Sequence, residues 1–224
     1  MQIETLYSAD KYIVINKPFG AISDDNLVEG FFPCHRLDRE TSGCLVLAKD
    51  LQTKEIIQTQ FKARKVKKTY IALVYGDIRK TVLQVFGTTT NDFTINAPVG
   101  RNPVAKVKFA IVKDGKDAIT DFLINDVLTD LASQPAGGEK FSLLTCFPKT
   151  GRTHQIRVHL SSIGHPVVGD SMYAGEKRSL EARDYMDRMF LHASSIEFLD
   201  PYTNELVSVN CPLPKPLSAL LKKY

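Results

Sequence analysis

The chain has 224 residues, 43% hydrophobic and 24% charged, with 29 Lys and Arg against 25 Asp and Glu for a formal net charge of +4. That length and composition suit an ordinary globular protein of one domain or two closely joined lobes, and no stretch approaches the ~20 apolar residues of a membrane helix. A charge of +4 is too mild to identify a nucleic-acid partner by itself.

Met1-Gln2-Ile3-Glu4 lacks the basic head and apolar core of a secretory signal. Cys34, Cys44, Cys146 and Cys211 form no CxxC pair, which speaks against a zinc site or a disulfide framework. Cys44 and Cys146 lie in apolar, strand-like runs, where small buried thiols are common. These features lead us to expect a cytoplasmic protein without membrane association.

Tyr12-Ile13-Val14-Ile15-Asn16 reads as a strand, stopped by Lys17-Pro18-Phe19-Gly20. A looser segment leads to His35-Arg36-Leu37-Asp38-Arg39-Glu40-Thr41-Ser42-Gly43. This stretch directly precedes Cys44-Leu45-Val46-Leu47-Ala48, an apolar run that reads as a buried strand. Two arginines, an aspartate and a histidine crowd the lip of that strand. Asp38 is therefore a candidate reactive carboxylate held by surrounding donors, although a plain loop with an Arg–Asp ion pair has the same local chemistry. Asp50 is placed to cap the next helix, with Ile57 and Phe61 four apart on one face.

Lys62, Arg64, Lys65, Lys67 and Lys68 form a basic run beside Tyr70. It suits phosphate neutralisation and equally a solvated helix end followed by a turn. Tyr70-Ile71-Ala72-Leu73-Val74-Tyr75 reads as a central strand ended by Gly76. Residues 82–112 are expected to alternate strands with turns around Gly87, Asn91 and Pro98-Val99-Gly100. No seam separates two autonomous domains.

Phe141-Ser142-Leu143-Leu144-Thr145-Cys146 is strand-like and meets the turn Pro148-Lys149-Thr150-Gly151. Thr153 is expected to cap a short helix whose Ile156, Leu160 and Ile163 share an apolar face and which Gly164-His165-Pro166 stops. Arg152 stands at the entrance to this helix, while Gln155 and His159 share another face. Val167-Val168-Gly169-Asp170 follows as a short extended segment. A polar-rich helix is expected over Asp184 to Met189, before a strand at Phe190-Leu191-His192-Ala193. The tail from Lys215 to Tyr224 suits either RNA contact or packing on the surface.

The five histidines make a poor zinc signature, with no accompanying cysteine or carboxylate cluster. His35 and His154 are better suited to orienting backbone or side-chain partners. Thr41 and Ser42 are expected to stabilise their turn through local hydrogen bonds. Ser42 lacks a nucleophile elbow and an ordered base–acid pair, which argues against a serine hydrolase.

These pieces, in this order, resemble the RluA family of pseudouridine synthases. His35 to Gly43 looks like its catalytic motif and Asn16-Lys17-Pro18 like its first motif. Lys68-Thr69-Tyr70-Ile71-Ala72 with Gly76 resembles its Lys-x-Tyr-x-Ala region. Gly151-Arg152-Thr153-His154-Gln155-Ile156-Arg157-Val158-His159 resembles its third motif, and Gly164 to Asp170 with Tyr173 extends the match. The resemblance spans about Leu6 to Cys211. It is to compact members without an N-terminal S4-like RNA-binding domain, so that residues 1–224 would form one catalytic domain of two closely joined lobes.

The resemblance implies an α+β fold: a mixed, largely antiparallel sheet with flanking helices and a central RNA-binding catalytic cleft. It implies an isomerase that converts uridine within structured RNA, tRNA or rRNA, into pseudouridine. Asp38 would be the catalytic carboxylate, Arg152 its guanidinium partner and Tyr70 the ring beneath the target uracil. Arg36, Arg39, Lys68 and Arg157 would contact RNA, with Arg39 and Arg157 open between phosphate binding and support of the fold. His35, Thr41, Ser42, His154 and Gln155 would support the site. No cofactor, no metal and no obligatory protein partner is implied.

Three routes remain open: attack at C1′ of the ribose, a glycal intermediate, or attack at C6 of uracil. The resemblance favours the glycal. Two other functions carry some of the same features. An RNA-binding protein without catalysis would use the basic run and aromatics but leave Asp38 idle. A glycosylase would release free uracil.

Overall fold

The computed structural model describes residues 3–129, 140–183 and 186–223. In chain order the first half holds β1 (Glu4–Ser8), β2 (Tyr12–Lys17), β3 (Phe32–Pro33), β4 (Ser42–Ala48), α1 (Leu51–Lys62), β5 (Lys67–Tyr75), α2 (Ile78–Phe86), β6 (Asp92–Asn96), β7 (Val99–Arg101) and β8 (Phe109–Ile111). The second half holds β9 (Ile119–Thr129), β10 (Lys140–Pro148), α3 (Gln155–Ser162), α4 (Glu176–Ala182), β11 (Leu191–Leu199), β12 (Leu206–Asn210) and α5 (Lys215–Leu221). The chain forms two units: Met1–Tyr70 with His192–Pro212, and Ile71–Leu191 with Leu213–Tyr224.

In the first unit the strand order is β1-β2-β4-β11, with β3 beside β4 and β12 beside β11. All seven residues of β4 are buried, as expected of an apolar run covered on both faces. Side chains alternate between those faces. Tyr12, Val14, Cys44 and Val46 join Ile57 of α1 and Phe198 of β11 in one cluster. Ile13, Ile15, Leu45 and Leu47 join Leu37 and Ala193 in another. The loop carrying Asp38 is thereby fastened to the second face through Leu37.

β2 and β4 are antiparallel, whereas β4 and β11 run parallel, with His192 opposite Ser42 and Ala193 opposite Gly43. Gly43 has φ +116°, and a Cβ there would lie 2.2 Å from the Ala193 carbonyl oxygen. The parallel pairing therefore requires glycine. α1 begins as expected, with the Asp50 carboxylate accepting from the Thr53 N–H at 2.8 Å. Gln60 near its end clamps β11: its Nε2 donates to the Leu199 carbonyl at 2.7 Å and its Oε1 accepts from the Leu199 N–H at 2.9 Å.

In the second unit the order is β5-β10-β9-β6, and β7 and β8 form a separate two-stranded sheet. β9 is antiparallel to both β10 and β6. The core gathers Leu73 and Tyr75 of β5, Phe141 of β10, Val168, Phe190, and Leu217 and Leu220 of α5. The tail thus packs into the core through α5. The overall class is mixed α+β, with a mostly antiparallel sheet flanked by helices, as expected. No described helix is long and apolar enough to cross a membrane.

Three local expectations are corrected. The stretch from residue 82 does not open with a strand, because α2 occupies Ile78–Phe86. Asp77 caps it, Ile78 and Val82 bury one helical face, and Gly87 at φ +67° ends it. Alternation begins only at β6, where Phe93 and Ile95 are buried between exposed neighbours. α3 is not capped by Thr153: its N-cap is His154, in the left-handed region at φ 56° and without a side-chain cap bond. The helix expected over Asp184 to Met189 lies earlier, at Glu176–Ala182. Residues 184 and 185 fall outside the described residues, and 186–190 are not helical. There, burial of Met186, Met189 and Phe190 decides the path.

Candidate active site

Asp38 lies half-buried in the loop entering β4, and its carbonyl accepts from the Thr41 N–H at 3.0 Å. The backbone is pinned on both sides of it. Before Asp38, the Leu37 N–H donates to Ser23 Oγ at 3.1 Å, and that hydroxyl donates to the Leu37 carbonyl at 3.2 Å. After Asp38, the Arg39 carbonyl accepts from the Gly20 N–H at 2.8 Å, and Arg39 Nε donates to the Gly20 carbonyl at 3.1 Å. Lys17, fully buried, donates to the carbonyls of Ala21 at 2.8 Å, Pro18 at 3.0 Å and Arg39 at 3.3 Å. A buried ammonium needs such acceptors. The motif resemblance by itself assigns Lys17 no role. The available signal was a lysine closing an apolar strand immediately before proline.

The supporting residues of this loop make definite bonds. His35 Nε2 accepts from the Val46 N–H at 3.1 Å, and its ring lies 4.7 Å from that of Phe61. Burial, with the Lys68 charge adding to it, lowers the His35 pKa to about 3, so the imidazole is neutral. Thr41 and Ser42 are buried. Ser42 Oγ lies 2.8 Å from His192 Nδ1, while His192 Nε2 lies 3.1 Å from the Cys211 carbonyl. A carbonyl only accepts, so Nε2 carries a proton, and in the neutral tautomer Nδ1 accepts the hydrogen bond from the Ser42 hydroxyl. Ser42 is thus tied to β11; the sequence suggested no such partner for it.

Arg36 and Arg39 are exposed. Lys68 is half-buried, and burial lowers its pKa to about 8. Tyr70, also half-buried, packs against the cluster of Ile13, Leu37, Leu45 and Leu47. Leu37 precedes Asp38, so the ring and the carboxylate loop rest on one apolar base. In the basic run, Lys62, Arg64, Lys65 and Lys67 are exposed, and Lys67 reaches Glu197 at 3.2 Å.

Arg152 belongs to the second unit. Its N–H donates to Gln155 Oε1 at 3.0 Å and its Nε to the Asp117 carbonyl at 2.9 Å. This use of Nε leaves the Nη edge of the guanidinium for other acceptors. His154 Nδ1 lies 3.0 Å from the Tyr173 hydroxyl, which also accepts from the Phe109 N–H at 3.0 Å. Gln155 is buried and uses both ends of its amide.

Arg157 departs from the RNA-contact expectation. It is 2% exposed, and its Nε and Nη2 grip the two Asp170 oxygens at 2.7 and 2.8 Å. Asp170 also accepts from the N–H groups of Met172 and Tyr173. Of the two roles open to Arg157, this geometry is that of fold support. Among the described residues, no group of three or more His, Cys, Asp or Glu is arranged to hold a metal ion.

A carboxylate on a doubly pinned loop, with an aromatic packed on the same apolar cluster of a mixed α+β scaffold, defines a class of protein that comparison resolves further. The family model described as RNA pseudouridylate synthase matches residues 11–162. A ribosomal large subunit pseudouridine synthase D from Nitrosomonas europaea is 32% identical over 243 residues, covering 98% of this chain and 64% of that protein. An uncharacterized RNA pseudouridine synthase of Bacillus subtilis is 31% identical, covering 100% of this chain and 72% of its own length. The solved structure of human RNA pseudouridylate synthase domain containing 1 superposes with TM-score 0.76 at 32% identity, over 95% of this chain and 84% of that one. The chain belongs to the RNA pseudouridylate synthase family, in agreement with its RluA-like motifs.

Proposed function

We propose that this chain isomerises uridine within structured RNA, tRNA or rRNA, to pseudouridine, using Asp38 as its catalytic carboxylate. The observation that carries the reading is the loop itself: hydrogen bonds to Leu37 and Arg39 fix the backbone on both sides of Asp38. Pre-positioning of this kind is what a reaction at one sugar carbon needs. Family membership supports the same chemistry. The names of relatives that refer to the large ribosomal subunit make its RNA the first substrate to test.

In this reading the target uridine leaves its stack at a cost of a few kcal/mol, least in loops and irregular regions. Arg36, exposed, occupies the space near the displaced base. Tyr70 stacks beneath the uracil. Arg152 is assigned as the guanidinium partner of the Asp38 carboxylate. Following the glycal route, Asp38 takes the 2′ proton as the C1′–N1 bond breaks. The uracil turns, C5 bonds to C1′, and the proton returns to C2′. The C5 proton then departs as N1 gains one, so substrate and product have the same composition. The sequence of steps calls for no net oxidation or reduction. The proposed setting is the cytoplasm.

The test is a map of uridine isomers in cellular RNA from cells with and without this protein, followed by reaction of the purified protein on each mapped RNA. Sites that vanish in the deleted strain and return in vitro are expected. An unchanged map, with no product on any RNA of the pool, would overturn the reading.

A further inference from the structure

We propose that Thr120 is a positioning residue for Arg152, acting through the amide of Gln155. The inference deepens the proposed function and rests on Arg152 serving the Asp38 chemistry.

Thr120 lies in β9, fully buried, between Pro148 of β10 and Ile95 of β6. Its Oγ1 is 2.9 Å from Gln155 Nε2 and 3.0 Å from His159 Nδ1. His159 Nε2 faces the Ala97 carbonyl at 3.1 Å and must carry the proton. Nδ1 is then an acceptor, so Thr120 donates to it and accepts from Gln155. The Gln155 amide is fixed in turn. Its Nε2 also donates to the Ile119 carbonyl at 3.0 Å, which leaves Oε1 facing Thr150 Oγ1 at 2.6 Å and the Arg152 N–H at 3.0 Å. Thr150 Oγ1 accepts from the Ile119 N–H at 3.0 Å and so gives its own proton to Oε1.

Every proton direction in this chain is determined. Turning the amide over would set its NH2 against the Arg152 N–H and its oxygen against the Ile119 carbonyl. The Thr120 hydroxyl, accepting from Nε2 beside the Ile119 carbonyl, reinforces the amide orientation that holds the Arg152 backbone. Arg152 is also tethered through its carbonyl, which accepts from the Gln155 N–H at 3.1 Å, and through its Nε to the Asp117 carbonyl, which belongs to the segment that leads into Thr120. A threonine there only to fill space would not need its hydroxyl. A threonine that sets an amide does.

The experiment compares Thr120→Val and Thr120→Ser, each alone and combined with Arg152→Lys, by RNA affinity and by single-turnover pseudouridine formation. Thr120→Val is expected to lower the rate about tenfold to a hundredfold with RNA affinity unchanged, the usual effect of a small misplacement. Thr120→Ser should restore the native rate. Adding Thr120→Val to Arg152→Lys should cost little beyond Arg152→Lys alone, because the lost function is the same. A native rate in Thr120→Val, or rate losses that multiply in the double variant, would overturn the proposal. Thr120→Ala replaces the valine variant if that does not fold, and failure of both to fold would make Thr120 a folding residue and reject the proposal. A native rate in Arg152→Lys would instead refute the role of Arg152. An inactive native protein would refute the proposed function itself.

Discussion

The backbone on either side of Asp38 is held by its neighbours. Ser23 secures Leu37, while Gly20 and Lys17 secure Arg39. Asp38→Asn is expected to lower pseudouridine formation by about 10³-fold or more, since asparagine keeps the volume but cannot take the 2′ proton. RNA affinity should remain near native because the loop stays pinned. Product yield and affinity measured on one substrate check this, and near-native turnover by the variant would contradict it. For Tyr70, stacking and phenol chemistry separate by substitution. Tyr70→Phe should bind RNA as the native protein does and lose rate only if the hydroxyl assists departure of the C5 proton. Tyr70→Ala should lose about 1–3 kcal/mol of base contact together with rate. Native turnover by Tyr70→Ala would refute its place beneath the base.

Elements were legible in the sequence where local chemistry and burial agree. β2, β4 and β5 are dense apolar runs, and α1 has its cap at Asp50. Legibility failed where tertiary partners decide. The α2 segment mixes β-branched residues with a helical burial pattern, and its hydrogen-bond partners Ser142 and His165 are distant in sequence. The start of α3 depends on His154 taking φ 56°, and Met186 to Phe190 follows the core instead of helical periodicity. The motif order singled out Asp38, Tyr70 and Arg152 as candidates, whereas the bonds of Lys17 to Arg39 and of Thr120 to Gln155 join residues far apart in sequence. The parallel β4–β11 pairing rests on one glycine. Gly43→Ala is expected to cost about 3 kcal/mol or more, from the left-handed backbone and the clash with the Ala193 carbonyl. Urea unfolding of native and variant protein measures this, and an unchanged midpoint would show that the strands separate without penalty.

At the scale of the whole molecule, buried histidines set the response to acid. His35 is lowered from 6.5 to about 3, and burial lowers His159 and His165 as well. A group with a depressed folded pKa contributes its stability above the unfolded value. As pH falls below 6.5, the unfolded chain takes up these protons and the folded chain resists them, so stability drains away towards pH 3. The Tm is expected to fall between pH 7 and pH 5, above the carboxylate range. His35→Gln, whose amide oxygen can still accept from Val46, should show a smaller fall. A Tm that rises on this acidification would contradict the assignment.

One measurement tests the reaction directly. Purified protein is incubated with large-subunit rRNA and with tRNA, folded beforehand and then held in EDTA, and both pseudouridine in the RNA and uracil in solution are quantified. Pseudouridine at discrete positions, with no uracil released and no product from Asp38→Asn, is the expected result. Uracil released in proportion to enzyme turnover, without isomer in the RNA, would contradict the account and identify a glycosylase.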